Sequence, residues 1–297
     1  MKNNIIIRAD SSSTIGTGHI MRDLVLAKKY PNDNIIFVTQ NLEGNINYKI
    51  EEEGYKLEIL KSNSIDDLNT LIKKYDINML IIDHYGIDYN YEKELKAKNL
   101  KLKIMALDDT YEKHYCDILL NHNIYAKAEK YKDLVPKWCE IRCGEKFTLL
   151  RDEFLKEKEV KREKIYDIFI SYGGADTANL NISTLRVLEE VDKSLKIVVV
   201  TTKANSNLDK LKEYVKDKEN IDLKINTNEI AKLLNQSKLA IITPSVTVNE
   251  VYFLNIPFIA IQTADNQKYM TSFLVEKGFI VLKNFNKKVL KRLICKI

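Results

Sequence analysis

Between Ile5 and Ala27 the chain reads IIIRADSSSTIGTGHIMRDLVLA: an apolar run, four consecutive hydroxyl residues, two glycines, one histidine and then an apolar-periodic segment. A strand that passes through a small flexible loop into a helix gathers open backbone N–H groups and the positive end of a helix dipole. Such a point attracts an anion. Gly16 and Gly18 supply the flexibility, Asp10 opens the loop and His19 stands at its mouth. The dipole there disfavours an imidazolium, and the neutral ring is the form a general base needs. Arg22 and Asp23 follow at i+3 and i+4, on the same helical face. Asp23 could orient the ring, and Arg22 could meet a phosphate. The same spacing suits a histidine that merely caps the helix beside a surface Arg22–Asp23 pair, and spacing alone favours that plainer account.

Further segments end in groups able to do chemistry: Asp83-His84-Tyr85, Asp108-Asp109, Gly173 to Thr177, Ser245 to Glu250, and Ala264 to Gln267. Tyr85 closes an almost wholly apolar run. Glu250 lies one turn into the segment after Ser245, where a carboxylate can accept bonds from vicinal hydroxyls, as acidic residues do with ribose. A helix-start glutamate favoured by the dipole fits that position equally well. His84, His114 and His122 read as packing or surface residues.

Some chemistries lose ground. Met21 occupies the third glycine position of G-x-G-x-x-G, and no Walker A lysine pattern appears, which counts against a nicotinamide dehydrogenase and a P-loop enzyme. His114, Cys116, His122, Cys139 and Cys143 could in principle bind zinc. However, Cys116 opens the apolar run CDILL, and Cys139-x3-Cys143 has no second pair at finger spacing. Buried small residues account for them better. No metal and no cofactor is expected.

The elements that must position these groups alternate along the chain. Strands are predicted at 5–9, 34–39, 56–60, 79–83, 103–107 and 118–120, with helices at 20–30, 46–53, 65–75 and 92–98 between them. Residues 125–146 look irregular, and 151–164 (RDEFLKEKEVKREK) reads as a solvated helix or linker. Alternation then resumes to a closing helix at 287–296. Repeated βα units mean parallel sheets covered on both faces. The expectation is α/β, with two Rossmann-like doubly wound domains facing across a cleft, residues 1–150 and 151–297. The closing helix could pack back on the first. Ligands of open α/β sheets sit beyond the carboxyl ends of the strands, so the cleft is the expected site.

With 297 residues, 45% hydrophobic and 30% charged, the chain can bury two cores of ordinary size. A net charge of +5 with no arginine-rich arm suits an anionic small molecule and no nucleic acid. No run approaches the ~18 apolar residues of a transmembrane helix, and MKNNIIIRADSSS breaks too early for a secretory signal. A cytoplasmic monomer without membrane contact is expected.

The stretch Arg8 to Ala27 closely resembles the start of the PseG family, the UDP-2,4-diacetamido-2,4,6-trideoxy-β-L-altropyranose hydrolases of pseudaminic acid synthesis. Further matches are LIIDHYG (Leu80 to Gly86), Asp108-Asp109, CDILLN (Cys116 to Asn121), LVPxxCExRCG (Leu134 to Gly144), the GGAD turn ending at Asp176, Val248 to Glu250, and Asn266-Gln267. They span essentially the whole chain. That family looks like the glycosyltransferase MurG, so the resemblance implies a GT-B fold with the nucleotide held mainly by the C-terminal domain. It implies a UDP-linked diacetamido sugar as substrate and water attack at the anomeric carbon with inversion. Gly173 and Gly174 would meet the diphosphate, Glu250 the ribose, and Asn266 and Gln267 the sugar or its N-acetyl groups. Asp10, Tyr85, Asp176, Ser245 and Val248 complete the expected binding set, and His19 would activate the water. Ala175 stands where such folds commonly carry Ser or Thr. A GT-B glycosyltransferase using a UDP-N-acetylated sugar, a nonhydrolysing 2-epimerase and a silent nucleotide-sugar binding module are the alternatives.

Overall fold

The computed structural model describes residues 2–296 and divides into two compact units between Leu149 and Leu150.

In the first unit β1 (Asn4–Ala9), β2 (Asn34–Gln40), β3 (Lys56–Leu60), β4 (Met79–Asp83), β5 (Lys103–Leu107), β6 (Ile118–Asn121) and β7 (Glu140–Cys143) form one parallel sheet. Its order is β3-β2-β1-β4-β5-β6-β7. The helices are α1 (Gly18–Ala27), α2 (Asn47–Glu52), α3 (Ile65–Lys74) and α4 (Tyr89–Lys98). β1 carries three consecutive Ile residues because both its faces are covered. Ile5 and Ile7 pack with Leu24 of α1 and Ile50 of α2, whereas Ile6 packs with Leu68 of α3 and Leu95 of α4. Ser64 and Asp88 cap α3 and α4 by accepting from the N–H groups of Asp67 and Tyr91.

Two expectations are corrected here. The 125–146 stretch is not wholly irregular: its EIRC segment is β7, in register with β6 (Ile118 opposite Glu140). A four-residue edge strand with charged residues at alternate positions has no apolar run to announce it. The 151–164 stretch is not wholly solvated either. It contains α5 (Asp152–Glu157), whose Phe154 is completely buried beneath the Arg151 guanidinium, 4.8 Å from the ring centroid.

The histidines and cysteines weighed for zinc do not gather into one ligand set among the described residues. Cys116 and Cys139 lie with their Sγ atoms 3.6 Å apart, and His122 is buried away from them beside Arg22 and Asp83. His114 Nδ1 meets Glu92 at 2.7 Å, with Glu92 wholly buried on α4. Burial opposes a charge on His114, but Asp108 and Glu92 outweigh it and lift its pKa from 6.5 to about 10. A raised folded pKa stabilises fully below the unfolded value, and that stabilisation is lost as pH climbs through the folded one. The melting temperature of the wild type should therefore fall between pH 6.5 and 10 more steeply than that of His114→Gln. Parallel melting curves across that window would contradict the buried ion pair.

The second unit starts with α5 and repeats the plan. β8 (Tyr166–Ser171), β9 (Ile197–Thr201), β10 (Ile221–Ile225), β11 (Ser237–Ile242), β12 (Phe258–Ile261) and β13 (Ile280–Leu282) are ordered β10-β9-β8-β11-β12-β13, all parallel. The helices are α6 (Asn181–Val191), α7 (Leu208–Val215), α8 (Ile230–Asn235), α9 (Val246–Leu254), α10 (Lys268–Glu276) and α11 (Lys287–Ile294). Leu290 and Ile294 of the closing helix pack with Leu185 and Leu188 of α6.

Candidate active site

In each sheet the strand order reverses once, between β1 and β4 in the first unit and between β8 and β11 in the second. Loops leaving two such strands diverge to opposite faces and open a crevice at the carboxyl ends. The loop after β1 runs from Asp10 to Thr17 and delivers His19 on the first turn of α1, and the loop after β4 carries His84 and Tyr85.

The hydroxyl run braces its own loop. Ser12 Oγ accepts from the N–H groups of Thr14 and Ile15, and Gly16 N–H donates to Ser12 O at 2.9 Å. Gly16 has φ +87°, the left-handed conformation this reversal requires. Ser11 Oγ accepts from Ile46 N–H, and Ser13 N–H donates to Glu43 O. Gly18 is the first residue of α1, and no side chain caps that N-terminus. The first N–H groups of a helix have no partner within it, so this end can receive an anion.

His19 is only 7% exposed. Its Nδ1–H donates to Asp83 Oδ1 at 2.8 Å, which leaves Nε2 as the nitrogen with a lone pair. Arg22 grips the same carboxylate twice, Nε to Oδ2 at 2.6 Å and Nη2 to Oδ1 at 2.5 Å, and reaches Asp109 through Nη1 at 3.1 Å. Tyr85 donates its hydroxyl to Asp109 at 3.0 Å and sets its ring edge-on to His19, with centroids 4.9 Å apart. Burial would raise the Asp83 pKa, but Arg22 and His19 outweigh it and hold that carboxyl well below the usual range. Burial likewise opposes the Arg22 charge, and Asp83 and Asp109 overcome it. An imidazole with one nitrogen fixed by a carboxylate and the other open is built to accept a proton.

This corrects the expected partners. Arg22 and Asp23 are both buried and do not form a surface pair, and Asp83 takes the orienting place offered to Asp23. Position i+4 on α1 shares a face with His19. The end of β4 approaches the ring more directly, because β1 and β4 are neighbours with Ala9 opposite Asp83.

Asp10 is a brace. Its Oδ1 accepts from Arg8 Nη1 and Gln40 N–H, and its Oδ2 from Arg8 Nη2 and His84 Nε2. These four donors fill its lone pairs, so no acceptor site is left for a ligand. The fully buried Arg8 is neutralised by the same carboxylate.

In the second unit Gly173 follows β8 at φ +76°. Gly174 O accepts from Thr202 N–H and from the hydroxyls of Thr201 and Thr202, tying this loop to the end of β9. The Asp176 carboxylate is spent on the N–H groups of Leu180 and Asn181 at the start of α6. Ser245 precedes α9, with its Oγ 3.0 Å from that of Thr243, and Val248 is wholly buried on the same helix. Glu250 is buried as well, with Oε1 held by Arg151 Nε at 2.9 Å and Nη2 at 2.8 Å. Burial raises its pKa while Arg151 draws it down, and burial prevails. Asn266 is exposed in the loop before α10. Gln267 Oε1 accepts from Thr263 N–H at 2.8 Å, which shapes that loop.

Sequence reasoning noted Asp83 and Asp109 at strand ends without giving them a role, and it missed Arg151. Asp83 and Asp109 were visible as carboxylates ending apolar strands; Arg151 was hidden in a charge-dense stretch.

Among the described residues no helix is long and apolar enough to cross a membrane, and no group of three or more His, Cys, Asp or Glu could hold a metal ion. No family model matches the chain. The UDP-2,4-diacetamido-2,4,6-trideoxy-β-L-altropyranose hydrolase of Campylobacter jejuni subsp. jejuni serotype O:2 is 44% identical over 277 residues. That match covers 93% of this chain and 98% of the relative. Among solved structures, Acinetobacter baumannii MurG superposes with a TM-score of 0.61 at 13% identity, covering 100% of this chain and 90% of that one. The spinosyn rhamnosyltransferase SpnG, solved with thymidine diphosphate, gives 0.66 at 11% identity, covering 99% and 91%. At such identities these two show the fold alone, and it is GT-B.

Proposed function

Since the chain belongs to the family of UDP-2,4-diacetamido-2,4,6-trideoxy-β-L-altropyranose hydrolases and is therefore an enzyme acting on the glycosyl bond of a UDP-sugar, we propose how its residues divide that work. The first unit activates water and the second holds the nucleotide. His19 Nε2 takes a proton from water as the oxygen bonds to C1 of the sugar. The C1–O bond to the diphosphate breaks with its electron pair, and UDP leaves on the opposite face, so the configuration at C1 inverts. Asp83, clamped by Arg22, fixes the ring and steadies the imidazolium that forms.

UDP is a weakly basic leaving group and needs charge stabilisation more than a proton. N–H groups of the Gly173-Gly174 loop and the start of α9 can supply it without a metal. Glu250 would receive the ribose hydroxyls on Oε2, with Oε1 anchored by Arg151. Asn266 and Gln267 would meet the sugar. The proposal extends to a cytoplasmic monomer with no nucleic-acid or membrane partner.

The observation that carries this reading is the His19–Asp83–Arg22 arrangement, built from the start of α1 and the end of β4, in a chain 44% identical to a UDP-sugar hydrolase. Purified protein incubated with the UDP-diacetamido sugar and no sugar acceptor should release UDP and free sugar together. A requirement for an acceptor would favour the glycosyltransferase alternative.

A ribose contact formed equally in the ground and transition states shows in KM rather than kcat. Glu250→Gln should accordingly raise KM for the UDP-sugar by about 10-fold, the worth of a charge-assisted hydrogen bond, with kcat nearly unchanged. An unchanged KM would remove Glu250 from the nucleotide site.

A further inference from the structure

The reaction above leaves a second buried carboxyl behind the histidine unused. Asp23 lies one turn after His19 on α1 and is completely buried. Neither of its oxygens meets an N–H or O–H donor among the described residues, and what faces them is the carboxyl of Asp83. The charged and titratable groups around this point are His19 and Arg22 on the same helix, Asp83 at the end of β4, Tyr85 just after it, Asp109 beyond Arg22, and His122 after β6. His122 is itself buried with no partner at either ring nitrogen, and burial followed by Arg22 pushes its pKa down to about 3, so it brings no charge.

Two carboxyl groups that face each other away from water cannot both be ionised. Asp83 is kept ionised by Arg22 and His19, so the proton of the pair rests on Asp23. Burial, then the Asp83 charge, push the Asp23 carboxyl in that direction. A count of lone pairs agrees. Asp83 Oδ1 already accepts from His19 Nδ1 and Arg22 Nη2, whereas Oδ2 accepts only from Arg22 Nε. One acceptor position remains, and the protonated Asp23 has one O–H to fill it.

We propose that Asp23 is a positioning residue for hydrolysis: it donates a hydrogen bond to Asp83 from the buried side and so holds the carboxylate that orients His19. Asp23 is closed off from the surface. It acts through Asp83, completing a buried network that would otherwise contain one unfilled acceptor and one stranded carboxyl. The inference rests on His19 being the base, yet part of its test is independent of that role.

That part is infrared spectroscopy at neutral pH. The difference between wild type and Asp23→Asn should show the carbonyl stretch of a protonated carboxylic acid in the wild type alone; its absence overturns the proposal whatever His19 does. Kinetics supplies the rest. An asparagine N–H replaces the O–H, so Asp23→Asn should keep kcat within about threefold and leave the acid limb of the kcat/KM profile in place. Asp23→Ala should lower kcat about tenfold or more through loss of orientation, with KM unchanged and the acid limb moved to higher pH, because the Asp83 charge is no longer shared with a donor. Wild-type kinetics for Asp23→Ala, or a displaced acid limb for Asp23→Asn, would overturn it. Should Asp23→Ala fail to fold, the infrared band and the Asp23→Asn profile still decide.

Discussion

His19→Ala is expected to lower kcat by about 10²–10⁴, the usual worth of a general base, while the protein keeps its fold. The fold survives because the deletion strands no charge: Asp83 remains paired with Arg22 through two hydrogen bonds, and Arg22 still reaches Asp109. What disappears is the ring against Tyr85 and its open Nε2. KM should move little, since an activated water contributes to the transition state and not to ground-state binding. Added imidazole should restore part of the lost turnover by entering the vacated space. Steady-state kinetics with circular dichroism as the folding control would check this. Near-normal turnover in a folded His19→Ala protein would remove the residue from the mechanism.

Asp83→Asn should be worse in a second respect. An amide at this position can present N–H where Nδ1–H needs an acceptor, so the ring turns or adopts the other tautomer, and turnover should fall by about 10²–10⁴. In addition Arg22 loses the nearer of its two carboxylate partners in a buried place and keeps only Asp109, and removing one member of a buried pair costs about 3–5 kcal/mol. Denaturant titration would therefore separate the two variants: His19→Ala is slow but stable, Asp83→Asn slow and destabilised. The pH dependence follows from the same pairing. The folded Asp83 pKa lies below its unfolded value. Its contribution is therefore present above the unfolded carboxylate value near 4 and is lost only as pH falls toward the folded one. Equal stability of Asp83→Asn and wild type at neutral pH would contradict the clamp.

The architecture was legible because its strands are continuous apolar runs punctuated by glycine and polar loops, as in IIIRA, NIIFVT and MLIID. β7 was not, because four edge residues need little apolar content. The loop after β1 stood out through its residue types, and His19 with it. Its partner did not. Asp23 and Asp83 both offer a carboxylate, the first at a helical spacing that any reader can count, the second 64 residues away and close only because β1 and β4 are sheet neighbours. Charge placement alone does not separate a ligand contact from an internal brace at Asp10, Asp176 and Glu250. Each is a carboxylate in or just beyond a loop after a strand, where a ligand or the protein's own donors can take it. At Asp10 Arg8, Gln40 and His84 do so, at Asp176 the start of α6 does, and at Glu250 Arg151 takes one oxygen. Hydrogen-bond saturation is a property of three-dimensional neighbours, and no single-residue pattern encodes it.

The central claim is that water, deprotonated by His19, attacks the sugar carbon rather than phosphorus. Hydrolysis in ¹⁸O-enriched water tests it directly, with mass spectrometry of both products and early NMR of the anomeric proton. The mechanism predicts the label entirely in the C1 hydroxyl of the released sugar, none in UDP, and the inverted anomer formed first. Label in the diphosphate, or first appearance of the retained anomer, would contradict it.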